Sequence, residues 1–248
     1  MVTQRQTIDE RITRVRKHAA LAGIISATTA ALVLMGAASS PVIGQATNNV
    51  SAAPQLAPTP APPPALEAFA SAWNGVTAYR AKISVFDQKG TDAQNIAFNY
   101  TFRKPSSFIV HVIEGPNAGV TLTWDGGPTV EARRGGGLFA ALFKRTLPLH
   151  DPLVTTVRGA SMDQLSYGAI LAHAEQTPGT LAQFPGEPIA GTPTQALSLV
   201  PSDPAVDAGL SREVIEISTS TQLPIRIEGY EGSTLVRKID FSDVQPEK

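Results

Sequence analysis

The stretch from Gln94 to Val130 most constrains the fold, because its pattern predicts four consecutive β-strands joined by short turns. In the first strand, large apolar side chains alternate with small or polar ones, which is typical of a strand with one buried face. These large residues are Ile96, Phe98, Tyr100 and Phe102. Pro105 and the dipeptide Asp125-Gly126 mark two of the turns. An antiparallel meander with aromatic side chains on one face needs a second layer to cover that face.

A helix and a strand are predicted before the meander. Leu66, Phe69 and Trp73 recur at the spacing of an amphipathic helix. Residues 79–86 then alternate between apolar and polar side chains, as a half-buried strand does. We therefore expect the folded domain to comprise residues 66–248.

A second helix and further strands are predicted after the meander. Ser161 opens a capping box, and we expect the helix that follows to end at Gln176. Residues 147–159 and the Pro/Gly-rich residues 177–193 are interpreted as loops. Three or four strands then close the chain between Gln195 and Phe241. The sequence thus predicts an α+β domain that is mainly antiparallel β.

The N-terminal residues 1–46 have the layout of an export segment. Residues 1–18 carry five Arg or Lys and two Asp or Glu side chains, and they lead into an uncharged apolar run from Ala19 to Ala38. This layout predicts either a secretory signal peptide, cleaved after Ala38 or Ala46, or an uncleaved membrane anchor. A buried core helix is a third interpretation, which the position and the flanks disfavour. Both leading interpretations place the domain across the cytoplasmic membrane, in the periplasm or outside the cell.

Residues 47–65 form a predicted linker. They contain six prolines and few large apolar side chains. Such a segment is extended and solvated, and it cannot build a core. It therefore separates the export segment from the folded domain.

Charge and cysteine content exclude several classes of protein. The formal net charge is −1, whereas a nucleic-acid-binding domain is usually basic. The chain has no cysteine, which excludes disulfides, thiolate metal sites, a cysteine nucleophile and lipidation on an N-terminal cysteine. We expect no nucleic-acid partner.

The histidines and acidic residues show no catalytic or metal-binding pattern. His111, His150 and His173 lie on a predicted strand, loop and helix, without the spacing of a metal motif. His150-Asp151 has no evident nucleophile, and no G-x-S-x-G turn is present. We predict that the protein is not an enzyme and has no cofactor or metal site.

A glycine run precedes a short apolar segment that has three interpretations. Gly135-Gly136-Gly137 is followed by four large apolar residues on one face of a helical turn, and then by Lys144 and Arg145. The apolar residues are Leu138, Phe139, Leu142 and Phe143. The segment is a mobile lid, an element that touches a membrane, or a short helix packed permanently on the core.

Three segments in order resemble the LolA/LolB-like superfamily of lipoprotein carriers and its outer-membrane lipoprotein-sorting relatives. They are FRKPSSF (Phe102 to Phe108), WDGGPTVEA (Trp124 to Ala132) and LPIRIEGYEGSTLVRKIDFSDV (Leu223 to Val244). The resemblance implies an unclosed antiparallel half-barrel whose concave apolar face is covered by helices. It also implies that lipid chains bind between the sheet and the helices.

The resemblance further implies a set of site residues. The implied pocket residues are Phe98, Tyr100, Phe102, Val110, Leu122 and Trp124. The implied lid or gate residues are Arg103, Lys104, Leu138, Phe139, Leu142 and Phe143. Lys104 stands where the carrier has an arginine that helps to hold its lid, and lysine cannot reproduce a planar bidentate contact.

Two functions from different classes follow from the sequence. If the helices leave room above the aromatic face, the protein is an exported lipid- or lipoprotein-binding protein that holds acyl chains, in lipoprotein or envelope-lipid transport. If the helices fill that space, it is a membrane-anchored envelope sensor or protein-interaction module. Expected partners are acyl chains and an envelope protein, with membrane contact by the N-terminal segment when it is not cleaved.

Overall fold

Eleven antiparallel strands and two helices make up the domain, for which a computed structural model describes residues 61–135 and 144–248. The helices are α1 (Pro64–Asn74) and α2 (Tyr167–Gln176), and short 3₁₀ turns cover Met162–Leu165 and Pro204–Asp207. The strands are β1 (Ala78–Lys89), β2 (Asp92–Arg103), β3 (Ser107–Glu114), β4 (Val120–Trp124), β5 (Thr129–Arg134), β6 (Lys144–Pro148), β7 (Gly179–Pro185), β8 (Thr194–Pro201), β9 (Arg212–Ser218), β10 (Pro224–Glu231) and β11 (Thr234–Glu247).

The strands form one open sheet in the order β6-β5-β4-β3-β2-β1-β11-β10-β9-β8-β7. Neighbouring strands are sequential except at the centre, where the first and last strands pair. Because β6 and β7 are the two ends of this order, the sheet is not closed. The predicted fold class, an unclosed antiparallel sheet with helices on one face, is confirmed.

One face of the sheet is buried beneath the two helices and is called here the inner face. Tyr167 of α2 stacks on Tyr79 of β1 with ring centroids 4.6 Å apart. Trp73 of α1 meets Tyr79 edge-on at 6.2 Å and Phe102 of β2 at 5.7 Å. These aromatic contacts join the helices and the central strands in one hydrophobic core.

Helix α1 is tied to distant strands at its two ends. Its first turn has no side-chain cap from Pro63, and Gln183 of β7 instead accepts a hydrogen bond from the Ala65 N–H at 2.8 Å. At the other end, the Lys104 ammonium donates to the Trp73 carbonyl oxygen at 2.7 Å. The same ammonium lies 4.2 Å from the centroid of the Trp73 ring.

These two ties show that the sheet curves around α1. Strands β2 and β7 are separated by six strand spacings, about 29 Å on a flat sheet. Helix α1 has 11 residues and is about 16 Å long. A helix of this length, even with two long side chains added, reaches both strands only if the sheet bends toward it. The inner face is therefore concave.

The elements predicted from apolar alternation are confirmed. The meander corresponds to β2 through β5, and the C-terminal strands to β8 through β11. The Ser161 capping box is also present, with Gln164 Oε1 accepting from the Ser161 N–H at 3.1 Å. The predicted second helix is divided, because a 3₁₀ turn ends at Leu165 and Ser166 then caps a separate helix α2.

Both edge strands were missed by the sequence interpretation. The predicted loop 147–159 overlaps β6, and the predicted loop 177–193 contains β7. Most side chains of these strands are exposed on both faces, so neither sequence shows a buried alternation. These two loop predictions were wrong for that reason.

Several predictions fall outside the described residues. The export segment 1–46 and most of the linker are among them, as are Leu138, Phe139, Leu142 and Phe143. In residues 61–135 and 144–248, no helix is long and apolar enough to span a bilayer.

We expect Lys104→Met to lower the free energy of unfolding by about 1–2 kcal/mol, because it removes a charged donor from the C-terminal end of α1. Arg103→Met is the matched control, since Arg103 is exposed and makes none of these contacts. Urea denaturation monitored by Trp fluorescence measures both. Equal losses for the two variants would contradict the assigned role of Lys104.

Candidate functional site

The six implied pocket residues lie in the packed core. All six are buried in the hydrophobic core, and the Phe102 ring contacts Trp73 of α1. Phe108 fills the space between Tyr100 and Trp124, with centroid distances of 5.8 Å and 5.1 Å. The Tyr100 hydroxyl donates to the Met162 carbonyl oxygen at 3.2 Å. This part of the inner face is therefore filled by protein.

The implied gate residues are separated by the structure. Lys104 contacts the C-terminal end of α1, and its role in a lid or gate stays a prediction. Arg103 points to the opposite, exposed side of β2. The other four gate residues lie outside the described part of the chain, and their role stays a prediction.

A cavity of about 560 Å³ lies elsewhere on the inner face, between α2 and strands β9, β10 and β11. Its apolar wall includes Leu165, Ile170, Ile227 and Ile239. Its polar wall includes Arg158, His173, Asp207, Glu213 and Arg237. None of the six implied pocket residues lines it.

Strand register produces these two walls. Val85, Ile239, Ile227 and Ile215 are successive partners across β1, β11, β10 and β9, and they form an apolar row. Two residues away along each strand, on the same face, lies a second row of partners: Asp87, Arg237, Gly229 and Glu213. A charged residue thus continues the buried alternation on three of the four strands.

Gly229 keeps space within the charged row. A Cβ at this position would lie 2.9 Å from Leu210 Cδ1 and 3.1 Å from Arg237 Cβ. Leu210 is fully buried, so it cannot move into solvent to make room. The absence of a side chain at Gly229 allows Leu210 and Arg237 to pack in this row.

Asp87 and Arg237 form the most buried ion pair of the site. Arg237 Nε lies 3.3 Å from Asp87 Oδ1. The other Asp87 oxygen accepts from the Thr156 hydroxyl and from the Arg158 N–H. Arg237 Nη2 has no hydrogen-bond partner among the described residues, although it is buried beside the cavity. This nitrogen is a free donor for a ligand.

Arg158 joins the loop before α2 to three other elements. Its guanidinium donates to the Gln88 carbonyl oxygen at 2.5 Å and to the Ala208 carbonyl oxygen at 2.8 Å. It also pairs with Glu231 at 2.5 Å. The Arg158 side chain is only 2% exposed, so it fixes this end of the cavity rather than reaching into solvent.

Three further ionisable side chains meet at the cavity from different elements. His173 Nε2 lies 3.5 Å from Asp207 Oδ1 and 3.5 Å from Glu213 Oε1. Burial raises the pKa of the Glu213 carboxyl to about 7 and also raises the pKa of Asp207. Electrostatic interactions with nearby side chains, including Arg237, oppose both increases.

Sequence reasoning missed the site. His173 was given no metal-binding role, and Asp87, Asp207, Glu213 and Arg237 were not singled out. The sequence did contain a signal. In β1, β9 and β11, a charged residue occupies a position where the alternation predicts a buried apolar side chain. Only the register between strands shows that these charges share one row.

Comparisons with known proteins give only distant structural similarity. No protein-family model and no curated protein matches the chain. One similar solved structure is described as a putative outer membrane lipoprotein-sorting protein domain from Vibrio parahaemolyticus. It is 10% identical to this chain in sequence, with a TM-score of 0.37. It is aligned over 74% of this chain and 92% of that one.

Two other solved structures align with the same share of this chain. A LolA superfamily protein from Nitrosomonas europaea is 13% identical with a TM-score of 0.33, over 74% of this chain and 92% of that chain. The Mycobacterium tuberculosis lipoprotein LppX is 11% identical with a TM-score of 0.40, over 74% and 95%. The assignment of the fold rests on the strand order and the position of the helices rather than on these scores.

The raised pKa of Glu213 predicts a pH-dependent stability. The folded state holds the Glu213 proton up to about pH 7, whereas the unfolded state releases it near the ordinary value of 4.5. Stability is therefore highest below about pH 4.5 with respect to this group, and it declines as the pH rises to about 7. The decline contributed by Glu213 is about 3 kcal/mol.

We expect Glu213→Gln to remove that decline, because glutamine does not titrate. Urea denaturation of the full chain between pH 4.5 and 8, with a chelator present, measures the effect. Glu216→Gln is the control, since Glu216 lies on the opposite face of β9 and its variant should keep the wild-type profile. A parallel decline in wild type and Glu213→Gln would contradict the prediction.

Proposed function

We propose that this protein is an exported lipid- or lipoprotein-binding protein that holds an amphiphilic ligand between α2 and strands β9 to β11. The observation that carries the proposal is the 560 Å³ cavity with an apolar wall and a polar wall. A cavity of this size is within the range of small-molecule sites, about 300–1,000 Å³. The chemistry of its two walls matches a ligand with an apolar chain and a polar head.

The apolar wall suits an acyl chain. Leu165 lines the cavity from the 3₁₀ turn and Ile170 lines it from α2. Ile227 and Ile239 line it from the sheet. Burial of an acyl chain against these side chains contributes about 0.8 kcal/mol for each methylene removed from water. No polar side chain interrupts the row from Val85 to Ile215.

The polar wall suits a head group that accepts and donates hydrogen bonds. Arg237 Nη2 supplies a donor without a protein partner, and Asp207 Oδ2 supplies an acceptor without one, within the described residues. Both atoms are buried, where an unpaired polar group is destabilising by about 1–3 kcal/mol. A head group that forms hydrogen bonds with these atoms removes that destabilisation on binding.

The site is reachable from solvent at one end. His173 lines the cavity and has a side chain that is 33% exposed, whereas Glu213 beneath it is 6% exposed. The helix residues Ala169 and Ala172 line the same side and are half-buried. Small side chains at the accessible end leave a path along α2 for a ligand to enter.

A second function, an envelope sensor or protein-interaction module, is supported by the filled half of the inner face. Of the residues implied as pocket residues by family resemblance, Phe102 packs against Trp73 and Tyr100 packs against Tyr79. In this alternative, the remaining cavity would bind no acyl chain. Retention of a ligand after purification distinguishes the two functions.

We expect the full chain, purified without added lipid, to retain an acyl-bearing molecule in native mass spectrometry, and we expect Ala172→Trp to lose it. An indole at position 172 enters the accessible end of the cavity, because Ala172 lines it. Glu175→Trp is the control, since Glu175 is exposed on the same helix and lies outside the cavity. Organic extraction identifies the bound molecule.

A ligand-free mass for the wild type, or equal retention by the wild type and Ala172→Trp, would contradict the binding proposal. Thermal denaturation of each variant verifies that the domain is folded. A ligand-free wild type that co-purifies with a stoichiometric envelope protein would instead favour the interaction module.

We expect Phe98→Leu to lower the free energy of unfolding by about 1–2 kcal/mol and to leave the amount of bound ligand per folded protein unchanged. Phe98 is fully buried in the filled half of the core, so its truncation leaves a void there. Chemical denaturation and native mass spectrometry measure the two quantities. Loss of ligand from a stable Phe98→Leu protein would place the pocket at the aromatic face.

A further inference from the structure

We propose that His173, Asp207 and Glu213 form a binding site for one divalent transition-metal ion, with Zn²⁺ as the ion best matched to the donors. Each residue offers one ligand atom, and these atoms lie within 4.8 Å of one another. One imidazole nitrogen and two carboxylate oxygens are a set of donors that Zn²⁺ accepts, commonly with a fourth position left open.

The three donors are brought together by separate elements of the fold. His173 is in the last turn of α2, Asp207 ends the 3₁₀ turn at 204–207, and Glu213 is on the inner face of β9. Asp203 caps the 3₁₀ turn by accepting from the Ala205 N–H at 2.9 Å, which fixes the backbone that carries Asp207. The ligand set is therefore held by rigid structure on three sides.

The imidazole is oriented by a second contact. His173 Nδ1 lies 3.2 Å from the Thr177 hydroxyl, one helical turn further along. When Nδ1 carries the hydrogen and donates it to Thr177, the lone pair of Nε2 faces the two carboxylates. Metal-binding histidines usually have their other nitrogen fixed in this way.

Buried polar atoms without a protein partner are an independent indication of a ligand site. Asp207 is 5% exposed, and its Oδ2 has no hydrogen-bond partner among the described residues. His173 Nε2 is likewise buried and without a hydrogen-bond partner in that part of the chain. Buried carboxylates are normally paired with a cation or coordinate a metal. A metal ion is therefore a fitting partner for the Asp207 carboxylate and for His173 Nε2.

The local charge also favours a divalent cation. The two guanidinium groups are already engaged, Arg237 with Asp87 and Arg158 with Glu231. Among the described residues, neither Asp207 nor Glu213 lies within ion-pair distance of an arginine or lysine. A divalent ion bound to Asp207 and Glu213 would supply the close cation that neither carboxyl group receives from an arginine or a lysine.

The position of the site links the metal to the cavity. His173, Asp207 and Glu213 all line it, so an open coordination position would face the cavity. A metal there would accept an anionic or neutral oxygen of a bound head group. The inference about the metal nevertheless rests on the three ligand residues and not on the proposed lipid function.

Metal binding is tested on the full chain with any affinity tag removed, dialysed against a chelator and then titrated with ZnCl₂. We expect one equivalent of bound Zn²⁺ by elemental mass spectrometry and calorimetry. We expect Glu213→Gln and His173→Asn each to weaken binding at least 100-fold. Co²⁺ provides a spectroscopic readout, since its visible absorption reports a protein ligand set of low coordination number.

The control is His150→Gln, because His150 is exposed and lies outside the cluster. It should bind Zn²⁺ as the wild type does. If His173→Asn fails to fold, Glu213→Gln still tests the metal site. Glutamine has nearly the shape of glutamate but cannot carry its charge. Absence of Zn²⁺ binding to the wild type at 100 μM metal, or equal binding by wild type and Glu213→Gln, would overturn the site. Either result is independent of whether an acyl ligand is retained.

Discussion

The covering of the concave inner face by α1 and α2 is the constraint on which the rest of this domain depends. An open sheet with large aromatic side chains on one face is stable only if that face is removed from water. The stacked Tyr79 and Tyr167 rings, 4.6 Å apart, join the first strand to the second helix. The ties of α1 to Lys104 and Gln183 keep the first helix across the curved sheet.

The covering is uneven, and this unevenness creates the candidate site. Aromatic residues from β1 to β4 fill the space beneath the helices, so the half-barrel is packed in that region. Beneath the C-terminal part of α2, the strands instead carry isoleucines and then a charged row, and the helix offers alanines. Smaller side chains cannot fill the same space, which leaves a cavity with both apolar and polar walls.

The strand predictions succeeded where one face is buried and failed at the edges. In β2, the residues from Ile96 to Phe102 alternate because every second side chain enters the core. The edge strands β6 and β7 have no such difference between their faces, so they look like loops in the sequence. Pairing through backbone hydrogen bonds, which every non-proline residue can form, decides that they are strands.

The sequence by itself determined the meander, the apolar face of the first helix and the mainly antiparallel class, because local alternation reports which side chains are buried. Tertiary structure decided where the inner face is filled and where it is open, since that depends on the volumes of side chains from distant strands. It also decided that Asp87, Arg237 and Glu213 share a row, and that His173 and Asp207 meet Glu213. Strand register and helix placement are properties of the whole chain, and no local pattern around any one of these residues contains them.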